Sequence, residues 1–483
     1  MIDRLVTFLI EPQNLLAIFL GLLALGYAVT RPELFVYLAA GFTVLVSITP
    51  PTLNNPEDYI ALWGPLESIR SYNRYFAIAG GSALLIAMAS GGLRFAGGLS
   101  RCASILLLVH GLILAKNLVF TSDRPYVVVI FIGFAIVTLM LSNLFGSART
   151  VEDLLSIYLK FVIAVACLFF VLNLFQYRVN SSAMFVIGGR FHGITFNPQM
   201  FVISAAPCLP VAYLMLTGTS NALVRLIAIG AAVLTLYWCY LTGSRLALLL
   251  VIVGAATYFQ FRLEEMLLVS LVGLVLLAIA SSIDLNVDIS SDSRMFSTTD
   301  TRTRVWKDQI NLFFDHPIFG APVEGDRLTF GESTWLGAAA GLGIAGLAPM
   351  LMLLARTLGL AARFWKTQGT LGNAKANAMI LAVVMVSVAG SFFEAFLFGV
   401  LTLPMSLFLA TVIMLERLFQ LPTRADLARN AAILRQSAIA SAGGTAPRQP
   451  GGPVAERPTR RPQQVGSPAN VRAMGKLRLD KPS

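Results

Sequence analysis

The chain has 483 residues, of which 56% are hydrophobic and 13% charged, and its formal net charge is +11. Soluble domains contain about 25% charged residues, so this composition excludes an ordinary soluble fold and indicates a polytopic membrane protein. The four cysteines lie inside apolar runs, which gives no indication of a disulfide framework or a metal cluster. The first apolar run has no basic segment before it, so we expect no cleavable signal peptide.

Apolar runs of about 20 residues recur along most of the chain, and each can cross a hydrocarbon layer of about 30 Å. We therefore predict an all-α fold, a polytopic membrane helix bundle of about 12–13 transmembrane helices. The predicted spans are residues 14–29, 34–50, 75–93, 102–120, 126–145, 154–175, 198–216, 226–241, 246–261, 266–283, 334–355, 377–393 and 399–415.

The sequence divides into three regions. Residues 1–150 form N-terminal membrane helices, and residues 151–415 form a second membrane region with one larger external loop, 284–333. Residues 416–483 hold 12 Lys and Arg against 4 Asp and Glu, a net charge of 12 − 4 = +8. This segment is rich in Pro, Gly and Ala, so we predict a disordered basic tail. It lacks interleaved aromatic residues, and we expect contact with the lipid bilayer rather than with nucleic acid.

The distribution of Lys and Arg predicts the orientation in the membrane. Short cytoplasmic loops carry an excess of these residues, and placing the basic tail inside puts loop 284–333 and the N-terminus outside. In a bacterium with two membranes, the protein would lie in the inner membrane with a cytoplasmic C-terminus. The outer loops also carry arginines, which indicates either an inverted orientation or an outer face that binds anions. We favour the second, because inversion would place the whole tail outside.

The two parts of the external loop differ in amino-acid composition. Its first part is polar, whereas Arg302–Phe314 combines charged residues with apolar residues such as Ile310 and Phe313. We predict an amphipathic helix here that lies on the membrane. His316-Pro317 should end this helix, because a residue before proline disfavours the helical conformation.

Two arginines of the outer loops are candidates for binding phosphate. Arg190 lies in a glycine-rich loop between two spans, and Arg302 lies four residues before Trp306. Arginine is permanently charged, and its planar fork of donors matches phosphate oxygens. The alternative is structural, since each arginine could instead pair with an aspartate or with lipid phosphates.

Two further charged residues lie at the ends of spans. Arg245 closes a short polar break, Thr242–Arg245, and its charge should face the bundle or a water-filled cavity, or else extend to the interface. Glu332 precedes a glycine-rich helix. A carboxylate there either stabilises the start of the helix or acts as a general base for an attacking hydroxyl.

Three charges interrupt apolar runs, namely Lys116, Lys160 and Glu394. Charge inside a membrane indicates function by default, and Glu394 is the most suggestive because it separates two predicted spans. His110 lies in the middle of a span, and we interpret it as a hydrogen-bonding core residue rather than a ligand.

Four stretches, taken in order, resemble the O-antigen ligase and polymerase superfamily of bacterial envelope proteins. GRFHGITFNPQ (189–199) is similar to the family's Arg-x-x-Gly stretch, and LTGSR (241–245) to its Thr-x-Ser-Arg break. TRTRVWKDQINLFFDHPIFG (301–320) resembles its Arg-x-x-x-Trp segment with a following His-Pro-Leu-x-Gly. Glu332-Ser333, nine residues and then Gly343-x-x-Gly346 follow the spacing of the ligase signature, whose glycines we expect to permit close helix packing.

The resemblance implies a glycan transferase that faces the periplasm and takes its glycan donor from undecaprenyl diphosphate. Arg190 and Arg302 would hold the diphosphate, and Glu332 would deprotonate the hydroxyl of the glycan acceptor. No cofactor and no metal are implied, and a chain-length regulator stays open as a partner. Further contributors to substrate binding would be Arg245, Arg304, His192, Trp306 and His316.

Three functions remain open from the sequence. The first is an envelope polysaccharide polymerase, which we favour because ligases of the family carry histidine where this chain has Glu332. The second is a ligase that transfers a finished glycan to lipid A-core or to protein. The third, from another class, is a glycolipid transporter or flippase, which should place its charges near mid-membrane rather than at one face.

Overall fold

The described part of the chain is almost wholly α-helical, and its only β-structure is a short antiparallel pair, β1 (Phe185–Val186) and β2 (Arg190–Phe191). This is as expected from the predicted fold class. The computed structural model describes residues 12–48, 60–93, 98–120, 124–186, 189–195, 197–260, 302–322, 332–371, 373–399 and 401–442.

The helices form a membrane-type bundle, which confirms the prediction of an all-α polytopic fold. Within the described residues, seven spans are long and apolar enough to cross a membrane, and three shorter apolar helices accompany them. The predicted span 266–283 lies outside the described residues. In chain order the helices are α1 (Pro12–Thr30), α2 (Phe35–Leu45), α3 (Gly64–Ser90), α4 (Arg101–Phe120), α5 (Arg124–Gly146), α6 (Val151–Val179), α7 (Pro198–Ala205), α8 (Cys208–Gly218), α9 (Ala222–Leu241), α10 (Arg245–Tyr258), α11 (Arg302–Asp315), α12 (Thr334–Thr367), α13 (Ala374–Phe393), α14 (Leu403–Leu418) and α15 (Arg424–Ala442).

The core of the bundle lies around α13 and α14. Every residue of α14 except Arg417 is buried, and α13 is buried along most of its length. A helix that is apolar on all sides is surrounded by other helices rather than by solvent. The loop between α13 and α14 therefore emerges at the centre of one end of the bundle.

Side-chain contacts identify the two ends of the bundle. At one end, Arg302 donates to Phe393 O at 3.0 Å, which joins the start of α11 to the end of α13. At the other end, Lys375 Nζ donates to Thr217 O at 2.5 Å, which joins the start of α13 to the end of α8. We call the end at which α12 begins and α13 finishes the site end.

Two spans differ from their predicted limits because of proline. Helix α3 begins at Gly64, well before the predicted start at residue 75, and Pro65 suits the first helical positions. The predicted span 198–216 is divided between α7 and α8 at Pro207, since proline inside a helix removes a backbone donor.

The predicted tail is helical in its first part, which corrects the expectation of disorder for residues 424–442. Thr423 Oγ1 donates to Asp426 Oδ2 at 2.7 Å and accepts from Asp426 N–H at 3.1 Å, so the two residues cap the start of α15. The helix that follows is rich in Ala, Leu and Arg, which are strong helix formers. The chain divides into two units, Met1–Leu427 and Ala428–Ser483, with the boundary inside α15.

Helix α12 is broken at Gly343, whose φ is +60°. This left-handed conformation favours glycine, because a Cβ atom would crowd the neighbouring carbonyl oxygen. The sequence predicts a continuous helix here with glycines that permit close packing. The structure instead uses Gly343 to interrupt the helix, and another part of the chain enters the gap.

The part of the chain that enters the gap is the stretch directly after α11, residues 316–321, which we call the docked segment. Its backbone replaces the hydrogen bonds that α12 loses at the break. The replacement bonds are Ile344 N–H to Pro317 O at 2.8 Å, Ala345 N–H to Ile318 O at 3.2 Å, and Ala321 N–H to Ala340 O at 2.8 Å.

We expect Gly343→Ala to lower the thermal unfolding midpoint of the detergent-solubilised protein. The added Cβ would lie 2.5 Å from the backbone carbonyl of Ile318, and the left-handed conformation alone costs an L-residue about 1–2 kcal/mol. Gly359→Ala is the matched control in the same helix, because its Cβ would meet nothing within 4 Å. Equal midpoints for the two variants would contradict the break at Gly343.

Candidate functional site

Three charged side chains from separate parts of the chain meet at the site end. Arg302 is the first residue of α11, Glu332 lies two residues before α12, and Glu394 directly follows α13. Arg302 Nε lies 3.2 Å from Glu332 Oε2, and its guanidinium lies over the ring of Phe393, 5.7 Å from the centroid. Two of the predicted catalytic residues are therefore in direct contact.

Gln199, near the start of α7, joins Arg302 to Glu394. In the amide orientation that satisfies both neighbours, its oxygen accepts from Arg302 Nη2 at 2.8 Å and its nitrogen donates to Glu394 Oε2. Asn197 caps α7 by accepting from the backbone N–H of Gln199 at 2.7 Å, which fixes the start of this helix. We call Glu332, Arg302, Gln199 and Glu394 the carboxylate–arginine cluster.

The two carboxyl groups of the cluster have unlike environments. The Glu332 side chain is 34% exposed, whereas Glu394 is 8% exposed. Burial raises the pKa of Glu394 to about 8, the charge of Arg302 opposes this rise, and the charge of Glu332 adds to it. Burial thus favours the protonated form of Glu394 beside the pair of Arg302 and Glu332.

Polar contacts hold the backbone on either side of the cluster. Thr334 Oγ1 donates to Glu394 O at 2.9 Å, and Trp335 Nε1 donates to Ser391 Oγ at 3.1 Å. Both bonds join the first turn of α12 to the end of α13. The carboxyl groups of Glu332 and Glu394 are thus carried by two helices that are fastened together at this point.

His110 supports the loop that follows Glu394. It is buried in α4, its Nε2 lies 3.1 Å from Leu397 O, and its ring stacks on Phe134 with the centroids 3.8 Å apart. The interpretation of His110 as a hydrogen-bonding core residue is confirmed.

Arg190 and His192 lie in the loop between α6 and α7. Arg190 donates through Nε to Thr242 O at 2.9 Å, and Gly243 in the same break between α9 and α10 has φ +57°. His192 is buried, its Nδ1 lies 2.6 Å from Thr195 O, and burial lowers its pKa to about 4. A neutral and buried His192 holds the shape of the loop, so Arg190 is the residue that provides positive charge there.

Of the four other predicted binding residues, Trp306 packs beside the cluster and the other three are exposed. Trp306 packs on the same phenylalanine ring as Arg302, with the ring centroids 6.0 Å apart. Arg304 is exposed and lies about 200° around the helix from Arg302. His316 is exposed and lies about 21 Å along the helix axis from Arg302. Arg245 is the exposed first residue of α10.

Two members of the cluster, Glu394 and Gln199, are not among the site residues predicted from the sequence. Glu394 carries a visible signal, because it is an isolated carboxylate between two apolar runs. Gln199 carries none beyond its place at the end of the stretch 189–199, since a neutral amide reveals its partners only when the fold brings them together.

No protein-family model matches this chain, and no curated protein is significantly similar to it. Among the described residues, no three His, Cys, Asp or Glu side chains lie together as a metal site would require. The described site offers three kinds of chemical group. These are a partly exposed arginine–carboxylate pair, a buried protonated carboxyl group and a second arginine in a neighbouring loop.

We expect Glu394→Gln to raise the unfolding midpoint at pH 8 and to lose this advantage near pH 5. An exposed glutamate ionises near pH 4.5, whereas folded Glu394 keeps its proton to about pH 8. The unfolded chain therefore binds fewer protons in this window, and the stability of the folded protein falls as the pH rises. One pKa unit corresponds to about 1.4 kcal/mol, so the gain should be on the order of a few kcal/mol at pH 8.

The measurement is a series of thermal unfolding midpoints in one detergent between pH 5 and pH 8. Glu33→Gln, at an exposed position, is the control and should show no such dependence on pH. A midpoint difference between Glu394→Gln and wild type that stays constant across the series would contradict the protonated Glu394.

Proposed function

We propose that the protein is an envelope polysaccharide polymerase that transfers a glycan from undecaprenyl diphosphate to a hydroxyl of an acceptor glycan. The observation that carries this proposal is the carboxylate–arginine cluster at one end of a membrane helix bundle. Such a transfer requires a cation for the departing diphosphate and a base for the incoming hydroxyl. Arg302 and Glu332 supply these two groups in direct contact.

The proposed reaction makes two bonds, one between the acceptor oxygen and the anomeric carbon and one between the transferred proton and Glu332, and it breaks two. The acceptor oxygen attacks the anomeric carbon, its O–H bond breaks, and the proton passes to the Glu332 carboxylate. The bond between the anomeric carbon and the phosphate oxygen breaks, and its electron pair leaves with the diphosphate. Arg302 and Arg190 stabilise this negative charge, which is more effective in poorly hydrated surroundings than in water. Glu332 then releases the proton to water.

Glu394 has a separate role in this proposal. As a neutral acid it leaves Glu332 as the carboxylate that faces Arg302. An ionised Glu394 would compete with Glu332 for the same guanidinium and would repel an incoming diphosphate. The amide of Gln199 bonds to both Glu394 and Arg302 and fixes their relative positions.

The first test is deletion of the gene in its host, followed by analysis of surface glycans. A polymerase predicts the loss of long chains, with single repeat units still attached to their acceptor. The carboxylate at position 332 favours this outcome, because the ligases that the chain resembles carry histidine there. Loss of all attachment, with long lipid-linked polymer accumulating, would instead identify a ligase and overturn the proposal.

The second test measures transfer by single-residue variants in membranes of the deletion strain. We expect Glu332→Gln to lower the rate by about 100-fold or more, as for loss of a general base. Arg302→Ala should lower it by a similar factor, because a donor to the developing charge is lost. Arg149→Ala is the control, since this arginine is exposed at the opposite end of the bundle. Full activity of both site variants at normal expression would exclude the mechanism.

A further inference from the structure

Lys116 lies in α4, four residues before the end of this helix, and its ammonium binds backbone carbonyls. Its Nζ donates to Phe319 O at 2.8 Å, to Ala321 O at 2.5 Å and to Gly341 O at 2.5 Å. An ammonium has three N–H donors, so these three carbonyls account for all of them.

The three carbonyls belong to the two parts of the chain that meet at the break in α12. Phe319 and Ala321 lie in the docked segment, and Gly341 lies in the last turn before the break. In an unbroken helix, Gly341 O would accept from Ala345 N–H, but that group donates to Ile318 O. Lys116 supplies the donor that Gly341 O would otherwise lack, in surroundings where an unsatisfied carbonyl is costly.

The docked segment continues directly from α11, so what holds this segment also holds the helix. At its start, α11 is fastened by the contacts of Arg302 with Glu332 and Phe393. At its end, it is fastened by the docked segment and Lys116. A helix of 14 residues is about 21 Å long, so the docked segment and the Arg302 contacts fix the two ends of one rigid element.

We propose that Lys116 is a positioning residue that locks the docked segment into the break of α12 and thereby holds Arg302 against Glu332. That Lys116 holds the docked segment in the break follows from the hydrogen bonds of this segment alone. Its consequence for transfer rests on the function proposed above.

The test uses hydrogen exchange of the purified full chain in detergent, with Lys116→Met compared with wild type. We expect the amides of Ala321, Ile344 and Ala345 to exchange about tenfold faster in the variant, since a lost hydrogen bond opens this region locally. Peptides of α14 should exchange as in wild type. Lys160→Met is the matched control, because Lys160 is an exposed lysine in another span, and it should change neither region.

A conservative variant, Lys116→Arg, should keep the hydrogen bonds that Lys116→Met loses. A cavity of about 330 Å³ lies beside Lys116, lined by α4, α12 and the docked segment, and it has room for a longer side chain. Lys116→Arg should therefore keep the docked segment protected. If Lys116→Met yields no folded protein, Lys116→Gln, which keeps two N–H donors on a shorter and uncharged side chain, should show a smaller local increase in exchange.

Unchanged exchange at the docked segment in Lys116→Met, or an increase of equal size in α14, would overturn the proposal.

Transfer assays on the same variants distinguish the role of Lys116 in the structure from its effect on transfer. If exchange rises locally and transfer falls in Lys116→Met but not in Lys116→Arg, the positioning role is supported. If exchange rises locally while the wild type itself shows no transfer, the lock stands and the proposed function fails. If exchange rises locally while transfer keeps its wild-type rate, Lys116 does not position Arg302.

Discussion

The hydrogen bonds that close the break in α12 are the constraint on which the site end depends. Inside a membrane, each backbone N–H or C=O group must find a partner within the protein, because little water is present. Gly343 opens the helix, the docked segment supplies new backbone partners, and Lys116 satisfies Gly341 O. Three segments that are distant in sequence are thus held together, and the helix that begins with Arg302 takes its place from them.

Helix α4 binds two segments that continue from elements of the carboxylate–arginine cluster, the loop after Glu394 and the docked segment after α11. His110 binds the loop after Glu394, and Lys116, less than two turns later, binds the segment after α11. Functional groups on loops need a rigid support to keep their geometry. Here one helix binds both segments, so changes in α4 can alter the site without touching it.

Local sequence features predict the parts of this fold that local interactions determine. Run length predicts the spans, and composition predicts the amphipathic helix α11 and its end before Pro317. Local sequence features do not predict the break at Gly343, because glycine is compatible with a continuous helix and the docked segment belongs to another part of the chain. They do not predict the role of Gln199 or the burial of Glu394 for the same reason, since their partners lie far away in sequence.

The docked segment has an electrostatic consequence for Lys116. It brings two of its own carbonyls and one helix C-terminus to the ammonium, the latter being the end of the part of α12 that precedes the break. Aligned peptide dipoles give a helix C-terminus about half a negative elementary charge, so this end offsets part of the positive charge of Lys116. Backbone carbonyls do not titrate, so the partners of Lys116 keep the same partial charge across the pH range in which Glu394 gains or loses its proton.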